Sequence, residues 1–495
     1  MIHLHEDSFS ARVPFALSQV LKRHHLFSAS QWIHCDEIMV SDMHDDPINC
    51  RRGDIFIARE TGDGDGHDRV AEAISRGVAG IVAERMVVTG GVPLCLVPDS
   101  TRVFSAMSHA FYKYPADRLQ LIAITGTSGK TSTTWTSASV LAESGLAVGV
   151  VSDLGVFDST GYEPNPGNLE HPKTFSSILC KLVQSGCTHV VAEISSQMLA
   201  QQVLEGVTVD TAVITNLADA HEDLHGSRRA YHALKARLVH SLSPTGCLIV
   251  CADQRRGRSL RERWDGLSLS TGLQSPCDVE GTLLERSLDG QTFLLRIAGH
   301  VVPVCVPLPT AACARNCLQA AAVGLRYGVA IERIASGIES SANIPGRLER
   351  LNRGQAFALF LDQPTSVHAL KSSLRSLRRV TPGRLILLID RAFSKHCGQR
   401  GSESLIDCAS CWCDDAYLLR APSLNGRCND LSGVSGVINS LRSNDCLVVL
   451  SDAFSGESGA SVDSSAVRGT LIEWVNEVIA SQNPPEGTFR PRRAA

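Results

Sequence analysis

A segment of nine residues constrains the fold of this chain more than any other feature. Residues 124–132 have the sequence ITGTSGKTS, with the apolar run 119–124 leading into it and the helix-like stretch 130–144 following it. A strand that turns sharply into a helix needs a crossover before the next strand can pair with it in parallel. The segment therefore predicts an α/β fold with a mainly parallel sheet that is covered on both faces.

The chemistry of the same segment indicates a bound phosphate. Backbone N–H groups at a helix N-terminus, together with the helix dipole, favour an anion. Lys130 can reach terminal phosphates and the Thr131 hydroxyl is a ligand for Mg²⁺, although Ile124 replaces the first Gly of the general GxxxxGK[ST] pattern. A Gly-rich turn with an incidental lysine is the alternative, and the flanking strand and helix argue against it. The residues expected to bind ATP here are Gly126, Thr127, Ser128, Gly129, Lys130, Thr131 and Ser132.

The chain length and the spacing of apolar runs predict several domains. A chain of 495 residues suggests two to four of them. We predict an N-terminal α/β domain over residues 1–117 and a central ATP-binding domain over residues 118–343. A smaller, Rossmann-like α/β domain is expected over residues 344–483. The last residues, 484–495, are rich in Pro, Arg and Ala and are expected to form a disordered tail.

Apolar runs and helical patterns alternate along all three predicted domains. Besides residues 119–124, the predicted strands are 54–58, 80–83, 93–97, 189–194, 211–215, 247–251, 356–362, 384–390 and 446–451. Besides residues 130–144, the predicted helices are 69–76, 175–185, 228–241, 311–327 and 366–379. This alternation is typical of a parallel sheet with helical crossovers.

Composition and charge narrow the class of protein. The formal net charge of −4 gives no basic field for nucleic acid. The first residues lack a signal peptide, and no apolar run reaches the roughly 18 residues that span a bilayer. We therefore expect a cytoplasmic protein without a membrane or nucleic-acid partner. Its 17 cysteines are expected to be reduced thiols, and a zinc site at Cys408, Cys411 and Cys413 is the less favoured alternative because no second pair of ligands follows.

Three side chains beyond the phosphate loop are candidates for metal chemistry. Glu193 ends a predicted core strand, which is where α/β sheets place their ligands. His221 lies in a polar loop after the next predicted strand, and Lys235 lies on a predicted helix. Taken singly, His221 and Lys235 are more often ordinary surface residues, and Glu193 has the alternative of a strand-end carboxylate on the surface.

Several motifs in one order resemble those of the Mur ligases, most closely the tripeptide-synthetase branch of that family. They are ITGTSGKTS at 124–132, AEISS at 192–196, TNLADAHEDLH at 215–225 with Tyr231 and Lys235 after it, RGDIFIA at 52–58, and PGRLER at 345–350. The resemblance spans roughly residues 45–380.

The resemblance implies an activity. Mur ligases have a domain for a UDP-sugar, a central ATPase and a mobile C-terminal domain that brings an amino acid. ATP phosphorylates the carboxylate of a UDP-N-acetylmuramoyl-peptide, an amine attacks the acyl phosphate, and phosphate leaves. The expected cofactors are ATP and Mg²⁺, the expected partners are the UDP-sugar peptide and an amino acid, and the expected state is a monomer.

The resemblance also assigns roles to residues. Lys130 would neutralise charge during phosphoryl transfer, Thr131 and Glu193 would hold one Mg²⁺, and His221 would help to hold a second. Lys235 would be the lysine that CO₂ converts to a carbamate. The remaining assignments are Asn316 to adenine, Arg347 and Asp362 to the nucleotide, and Ser195, Ser196 and Asn216 to the substrate.

The sequence departs from the family pattern mostly at the substrate sites. Positions where the family carries Thr, His and Arg for the acceptor hold Glu170, Gln197 and Val203, and the first Asn of the adenine pair is Cys313. The Asp-Asn-Pro-Arg motif for diaminopimelate is absent. We therefore expect an ATP-dependent amide ligase with altered substrates, and the alternatives are a non-catalytic nucleotide-binding relative and a phosphate-loop ATPase with an unrelated output.

Overall fold

The described residues form an α/β structure around three large β-sheets, and two further sheets have two strands each. A computed structural model describes residues 14–62, 64–164, 166–217, 233–274, 276–341, 343–364, 366–390, 401–419 and 435–451, together with positions 475, 478 and 479. The three sheets draw their strands from residues 31–96, 120–306 and 349–450. Each sheet therefore lies within one of the three predicted domains, and the exact domain boundaries remain predictions.

The first sheet has five strands in the order β2-β9-β8-β5-β4. Strands β4, β5, β8 and β9 run parallel, and β2 pairs antiparallel with β9. The strands of this region are β1 Phe15–Ala16, β2 Gln31–Ile33, β3 Met39–Val40, β4 Met43–His44, β5 Ile55–Ile57, β6 Glu60–Thr61, β7 Gly64–Asp65, β8 Gly80–Ala83 and β9 Leu94–Leu96. Its helices are α1 Leu17–Arg23, α2 Val70–Ser75 and α3 Ser100–Phe111.

The central sheet has eleven strands in the order β13-β12-β11-β14-β10-β15-β16-β17-β18-β19-β20. Its seven middle strands are parallel, and antiparallel strands extend it at both edges. The strands are β10 Gln120–Thr125, β11 Val148–Ser152, β12 Gly155–Asp158, β13 Gly161–Glu163, β14 His189–Glu193, β15 Val209–Ile214, β16 Leu242–Cys251, β17 Leu267–Gly272, β18 Val279–Ser287, β19 Gly290–Ile297 and β20 His300–Val306.

Helices cover both faces of the central sheet, as its continuous apolar strands require. One core contains side chains of α4 and of the buried, Ala-rich α8, and the other contains side chains of α5. The helices are α4 Lys130–Glu143, α5 Pro172–Gln184, α6 Ser196–Ala200, α7 Arg255–Glu262, α8 Ala311–Arg326 and α9 Ile331–Ser340. The predicted helix 228–241 falls partly outside the described residues, and its last part is the 3₁₀ helix Arg237–Ser241.

The third sheet has five strands in the order β21-β22-β25-β23-β24, of which all but β21 run parallel. They are β21 Glu349–Leu351, β22 Ala358–Asp362, β23 Leu385–Asp390, β24 Asp415–Leu419 and β25 Cys446–Leu450, with helices α10 Val367–Arg378 and α11 Gly401–Ser410. The predicted tail 484–495 lies outside the described residues.

Most predicted strands and helices of the described regions agree with the structure to within a few residues, so the α/β fold class is confirmed. The features that were not predicted include the antiparallel meander β18-β19-β20 and the hairpin β12-β13. Every cysteine in the described part of the chain is a free thiol. Among the described residues, no helix is both long and apolar enough to cross a membrane.

Candidate active site

The predicted phosphate loop joins the end of β10 at Thr125 to the start of α4 at Lys130. Two of its glycines are required by geometry. Gly126 has φ +154°, and a Cβ atom there would lie 1.8 Å from the Thr215 hydroxyl oxygen. Gly129 has φ +79°, and its Cβ would lie 2.5 Å from Asn316 Oδ1. A side chain at either position would therefore displace the loop or the neighbour that shapes it.

Asn216 fixes the conformation of the loop from the neighbouring strand β15. The Ser128 backbone N–H donates to Asn216 Oδ1 at 3.1 Å, and Asn216 Nδ2 donates to the Ser128 carbonyl at 2.7 Å. The Thr127 backbone N–H donates to the Asn216 carbonyl at 3.1 Å. Asn216 was predicted to contact the substrate, which stays a prediction, and its bonds in the structure brace the phosphate loop.

Thr131 and Glu193 meet because β10 and β14 are parallel neighbours whose ends lie in register, with Ile124 opposite Glu193. The Thr131 hydroxyl donates to Glu193 Oε2 at 2.9 Å. Lys130 Nζ lies 3.6 Å from Glu193 Oε1, and that oxygen is buried without a hydrogen-bond partner. These three side chains, predicted from separate motifs, form one polar corner at the carboxyl end of the sheet.

Burial and the nearby Asp153 raise the pKa of Glu193 to about 7, against the opposing effects of Lys130 and Arg347. A cation at this corner would compensate the desolvated carboxylate. The donor set fits Mg²⁺, because the orphaned Glu193 Oε1 and the Thr131 hydroxyl are hard oxygen ligands. No group of three or more His, Cys, Asp or Glu side chains forms a metal site within the described ranges. Mg²⁺ on a nucleotide needs no such cage, since phosphates and water supply its other ligands.

Lys235 is buried beside the phosphate loop, with 1% of its surface exposed. Its Nζ donates to the Gly126 carbonyl at 2.9 Å. Burial, with a further contribution from Lys130, lowers the pKa of Lys235 to about 7. A substantial fraction of this amine is therefore neutral near neutral pH. His221, predicted to help hold a second metal, lies outside the described residues.

A cleft of about 820 Å³ opens between the phosphate loop and the third sheet. Its walls come from α4, α7, α8 and α10 and from the segment that joins the second and third sheets. The predicted nucleotide-binding residues in its lining are Ser128, Gly129, Lys130, Thr131, Ser132, Asn316, Arg347 and Asp362. Asn216 and Cys313 also line it. The volume lies within the usual range for a small-molecule site.

Arg347 links the third sheet to the phosphate loop. Its Nη2 donates to the Thr131 hydroxyl at 3.0 Å, and its Nη1 donates to the Gln363 carbonyl at 2.6 Å. The Leu348 N–H donates to Asp362 Oδ1 at 3.0 Å, and burial raises the pKa of Asp362 to about 6. Gln363, which sequence reasoning did not assign to the site, therefore anchors the arginine that reaches the loop.

A second cluster of polar side chains lies on the other side of β10, beyond β14. Ser195 caps α6 through its hydroxyl, which accepts the Met198 N–H at 3.0 Å and donates to Glu170 Oε1 at 3.2 Å. The Gln197 amide, oriented by its neighbours, donates to the same Glu170 oxygen at 2.6 Å. The predicted substrate residue Ser195 is thus bonded to the carboxylate of Glu170, a residue that departs from the family pattern. Ser196, also predicted to contact the substrate, is the first residue of α6.

Ion pairs join the first sheet to α5 and the region after β14. Asp45 accepts from Arg59 Nε at 2.7 Å and lies 3.2 Å from His171 Nε2, while Lys173 donates to Asp42 at 2.5 Å. These pairs were not predicted, because the partners across the contact are more than a hundred residues apart in sequence. Val203, which replaces a family arginine, is 0% exposed and packs in the core beneath this contact.

Comparison with known proteins places the central region in a family. Residues 124–324 match the model of the Mur ligase middle domain. The UDP-N-acetylmuramoyl-L-alanyl-D-glutamate–2,6-diaminopimelate ligase of Geobacter metallireducens is 28% identical over 368 residues, which cover 73% of this chain and 72% of that protein. The ligase of the same name from Geobacillus kaustophilus is 29% identical over 377 residues, covering 72% and 74%.

Solved structures of similar proteins share the fold over most of the chain. A UDP-N-acetylmuramoyl-L-alanyl-D-glutamate–2,6-diaminopimelate ligase superposes with a TM-score of 0.66 at 18% identity, covering 88% of this chain and 93% of that one. MurF ligase from Thermotoga maritima in complex with ADP gives 0.58 at 17% identity, covering 89% and 98%. An FPGS–AMPPCP–folate complex gives 0.55 at 16% identity, covering 70% and 91%. Residues 124–324 of this chain thus match the Mur ligase middle domain, and most of its length is similar in sequence and in fold to Mur ligases.

Proposed function

We propose that this protein is an ATP-dependent amide ligase of peptidoglycan precursor synthesis, which adds an amino acid to a UDP-N-acetylmuramoyl-peptide through an acyl phosphate. The observation that carries the proposal is the corner formed by Lys130, Thr131 and Glu193 beside the nucleotide-sized cleft. The names of the relatives support the substrate class, since they act on UDP-N-acetylmuramoyl-L-alanyl-D-glutamate.

The cleft suits ATP, with its phosphates toward the loop. Solved structures of the same fold include complexes with ADP and with AMPPCP, which supports a nucleotide here. Mg²⁺ held by Thr131 and Glu193 would neutralise charge on the phosphates. His221 is proposed to help hold a second Mg²⁺, and a carbamate on Lys235 would be an anion that faces the metal.

The residues of the loop would bind and orient the terminal phosphate. The backbone N–H groups of the first turn of α4 lie at the helix N-terminus, where an anion is favoured, and the Lys130 ammonium would offset the charge that develops on the transferred group. The acceptor carboxylate attacks the phosphorus in line with the leaving oxygen of ADP. The amine then attacks the acyl carbon, and phosphate leaves.

Lys235 is suited to carbamate formation. An amine must be neutral to react with CO₂, and burial lowers the pKa of Lys235 to about 7. The product would be an anion beside Lys130 and the phosphate loop, where positive charge is available to stabilise it. Because the neutral fraction rises with pH, the proposal expects carbamate formation to increase between about pH 6 and pH 8.

The retained corner favours a ligase over a non-catalytic relative. Most residues that differ from the family pattern, Cys313 excepted, fall at motifs for the acceptor and the amine, whereas Lys130, Thr131 and Glu193 are retained and in contact.

The test measures phosphate release and product mass together. Purified protein is incubated with ATP, Mg²⁺ and UDP-N-acetylmuramoyl-L-alanyl-D-glutamate, with 2,6-diaminopimelate and each common amino acid in turn. The proposal expects one amine to stimulate phosphate release and to give a conjugate whose mass equals acceptor plus amine minus water. Lys130→Ala is the matched negative control. Nucleotide binding without substrate-stimulated phosphate release in every mixture would contradict the proposal.

A further inference from the structure

The strand β10 divides the central site into two sides. On one side, Asn216 at the end of β15 and helices α7 and α8 line the nucleotide cleft. On the other side lie the ends of β14 and β11, with Glu193, Asp153 and Ser195. In-line transfer from a nucleotide in the cleft requires the acceptor to approach from the side away from ADP. The β14 and β11 side is therefore where the acyl group forms and where the amine must arrive.

Glu170 projects a half-buried carboxylate into this second side. It accepts hydrogen bonds from the Ser195 hydroxyl at 3.2 Å and from the Gln197 amide at 2.6 Å. Ser195 follows Glu193 by two residues, so their Cα atoms lie within about 7 Å of each other. The backbone N–H of Asp153 lies 3.5 Å from Glu193 Oε2, and the Asp153 charge acts on both Glu170 and Glu193. Glu170 thus belongs to the polar surface around the phosphate corner.

We propose that Glu170 is the base that takes the proton from the incoming ammonium group during amide formation. This inference rests on the proposed ligase function. Neither Ser195 nor Gln197, which hold Glu170 in place, can accept a proton at neutral pH. His171, the next residue, is turned away and lies 3.2 Å from Asp45. Among the described carboxylates of this cluster, Glu193 is bonded to Thr131 and lies beside Lys130, and Asp153 is exposed. Glu170 is the half-buried carboxylate that is held by uncharged side chains.

Burial, with a contribution from Asp153, raises the pKa of Glu170 above its ordinary value. A more basic carboxylate is a better proton acceptor, which suits a base that works near neutral pH. The negative charge also attracts the ammonium form of an amino acid before the proton is removed. Both effects are absent from a glutamine at the same position.

The proposed step balances. The Glu170 carboxylate takes one proton from R–NH₃⁺, and the freed lone pair of nitrogen attacks the acyl carbon. The bond between that carbon and the phosphate oxygen breaks, and the electron pair leaves with phosphate. A second nitrogen proton passes to the phosphate, which departs as HPO₄²⁻, and the third stays on the amide. Glu170 then returns its proton to water.

The test compares two nucleophiles that differ in their need for a base. Hydroxylamine is uncharged at neutral pH, so it traps an acyl phosphate as a hydroxamate without losing a proton beforehand. The amine identified by the conjugate assay arrives as an ammonium ion. Both reactions are measured with ATP, Mg²⁺ and UDP-N-acetylmuramoyl-L-alanyl-D-glutamate in wild type, Glu170→Gln and Glu170→Asp. Glu163→Gln, which alters a carboxylate paired with Lys181 at 3.8 Å, is the matched control.

For Glu170→Gln we expect hydroxamate formation within about threefold of wild type and amide formation reduced by about 100-fold or more. The acid limb of the kcat profile for amide formation should disappear, and Glu170→Asp should restore part of the rate. Glu163→Gln should match wild type in both reactions.

Four outcomes overturn the inference. Equal amide formation in Glu170→Gln and wild type excludes Glu170 as the base. An equal fall in hydroxamate and amide formation assigns Glu170 to acyl phosphate formation or to structure, and thermal unfolding of the variant separates those two roles. Failure of the wild type to form any hydroxamate overturns the proposed function itself, and the inference falls with it. A wild type that forms hydroxamate but no amide with any amine also contradicts the proposed role of Glu170 as the base.

Discussion

Gly126 illustrates how tightly single residues determine this site. Its φ of +154° is open to glycine, and any Cβ would overlap the Thr215 hydroxyl at 1.8 Å. The same hydroxyl donates to the Ser128 carbonyl at 2.7 Å. This one hydroxyl therefore leaves no room for a side chain at position 126 and also holds the loop in its conformation. The sequence motif predicted the glycine, but it could not reveal the neighbour that requires it, because Thr215 belongs to another strand.

We expect Gly126→Ala to weaken nucleotide binding. Displacing the loop or Thr215 should cost about 1 to 3 kcal/mol, which corresponds to a loss of affinity between about fivefold and about 150-fold. Titration calorimetry with a non-hydrolysable ATP analogue measures this change. Gly161→Ala serves as the control, since no atom lies within 4 Å of a Cβ built there. Equal affinity in Gly126→Ala and wild type would contradict the close approach.

Glu193 shows the conflict between stability and function at the residue scale. Its pKa is raised to about 7, so the folded state holds a proton there more strongly than the unfolded state. The stability that this proton contributes is present below about pH 4.5 and is lost as pH rises through about 7. At pH 8 the ionised carboxylate therefore destabilises the metal-free protein.

Glu193→Gln should then be more stable and less active than wild type. Without Mg²⁺ at pH 8, we expect the free energy of unfolding to rise by about 2 kcal/mol, and the gain should shrink toward pH 5. Substrate-stimulated phosphate release should fall by about 100-fold or more. Denaturant unfolding at both pH values, with the phosphate assay, measures the two effects. A variant less stable than wild type at pH 8 would be inconsistent with a strained carboxylate.

At the scale of elements, the apolar runs of the parallel strands predicted the sheet, because strands buried on both faces leave a continuous signal. The meander β18-β19-β20 was missed because none of its strands is buried on both faces: β19 alternates buried and less buried residues, and β18 and β20 have exposed stretches. The corner of Lys130 and Glu193 was expected from the motifs, whereas Glu170, Gln363 and the Asp45–Arg59 pair were not. Their contacts depend on how distant segments pack, which residue patterns along the chain do not encode.

His109 on α3 connects the first region of the chain to the central one. Its Nε2 donates to the Val203 carbonyl at 2.9 Å, and the Ser176 hydroxyl donates to its Nδ1 at 2.9 Å. Burial lowers the pKa of His109 from 6.5 to about 4. The unfolded chain therefore binds the proton more strongly, and stability is lost as pH falls from about 6.5 toward 4.

The variant His109→Gln tests this linkage, because a glutamine amide can both donate to Val203 and accept from Ser176. We expect wild type to lose about 2 to 3 kcal/mol more than the variant between pH 7 and pH 4. His24, whose pKa is also lowered to about 4, contributes equally in both proteins. Chemical unfolding across this pH range provides the measurement, and parallel pH profiles would rule out the assigned role.

For the molecule as a whole, Arg347 couples the third sheet to the nucleotide corner. It lies in the segment between the second and third sheets and hydrogen-bonds Thr131 on one side and Gln363 on the other. Gly346 has φ +63° and Leu348 has φ +50°, so the backbone on both sides of the arginine is held in the left-handed region. A ligand that displaces the guanidinium from Thr131 would therefore also act on the third sheet.

We expect Arg347→Ala to weaken ATP binding by about tenfold, because charge-assisted hydrogen bonds to phosphate are stronger than neutral ones. Arg350→Ala is the matched control. That arginine is three residues further on and pairs with the exposed Asp289 at 2.7 Å, away from the loop, so its removal should change affinity little. Nucleotide titration of both variants decides the matter, and equal affinities would show that Arg347 takes no part in binding.

The measurement that tests the central claim most directly follows oxygen from the acceptor to phosphate. UDP-N-acetylmuramoyl-L-alanyl-D-glutamate with ¹⁸O in its carboxylates is incubated with the protein, ATP, Mg²⁺ and the reacting amine, and the released phosphate is analysed by mass spectrometry. An acyl phosphate route predicts one ¹⁸O atom in each phosphate formed together with the amide. Phosphate without ¹⁸O, released by water, would contradict the account of this chain as an acyl-phosphate-forming ligase.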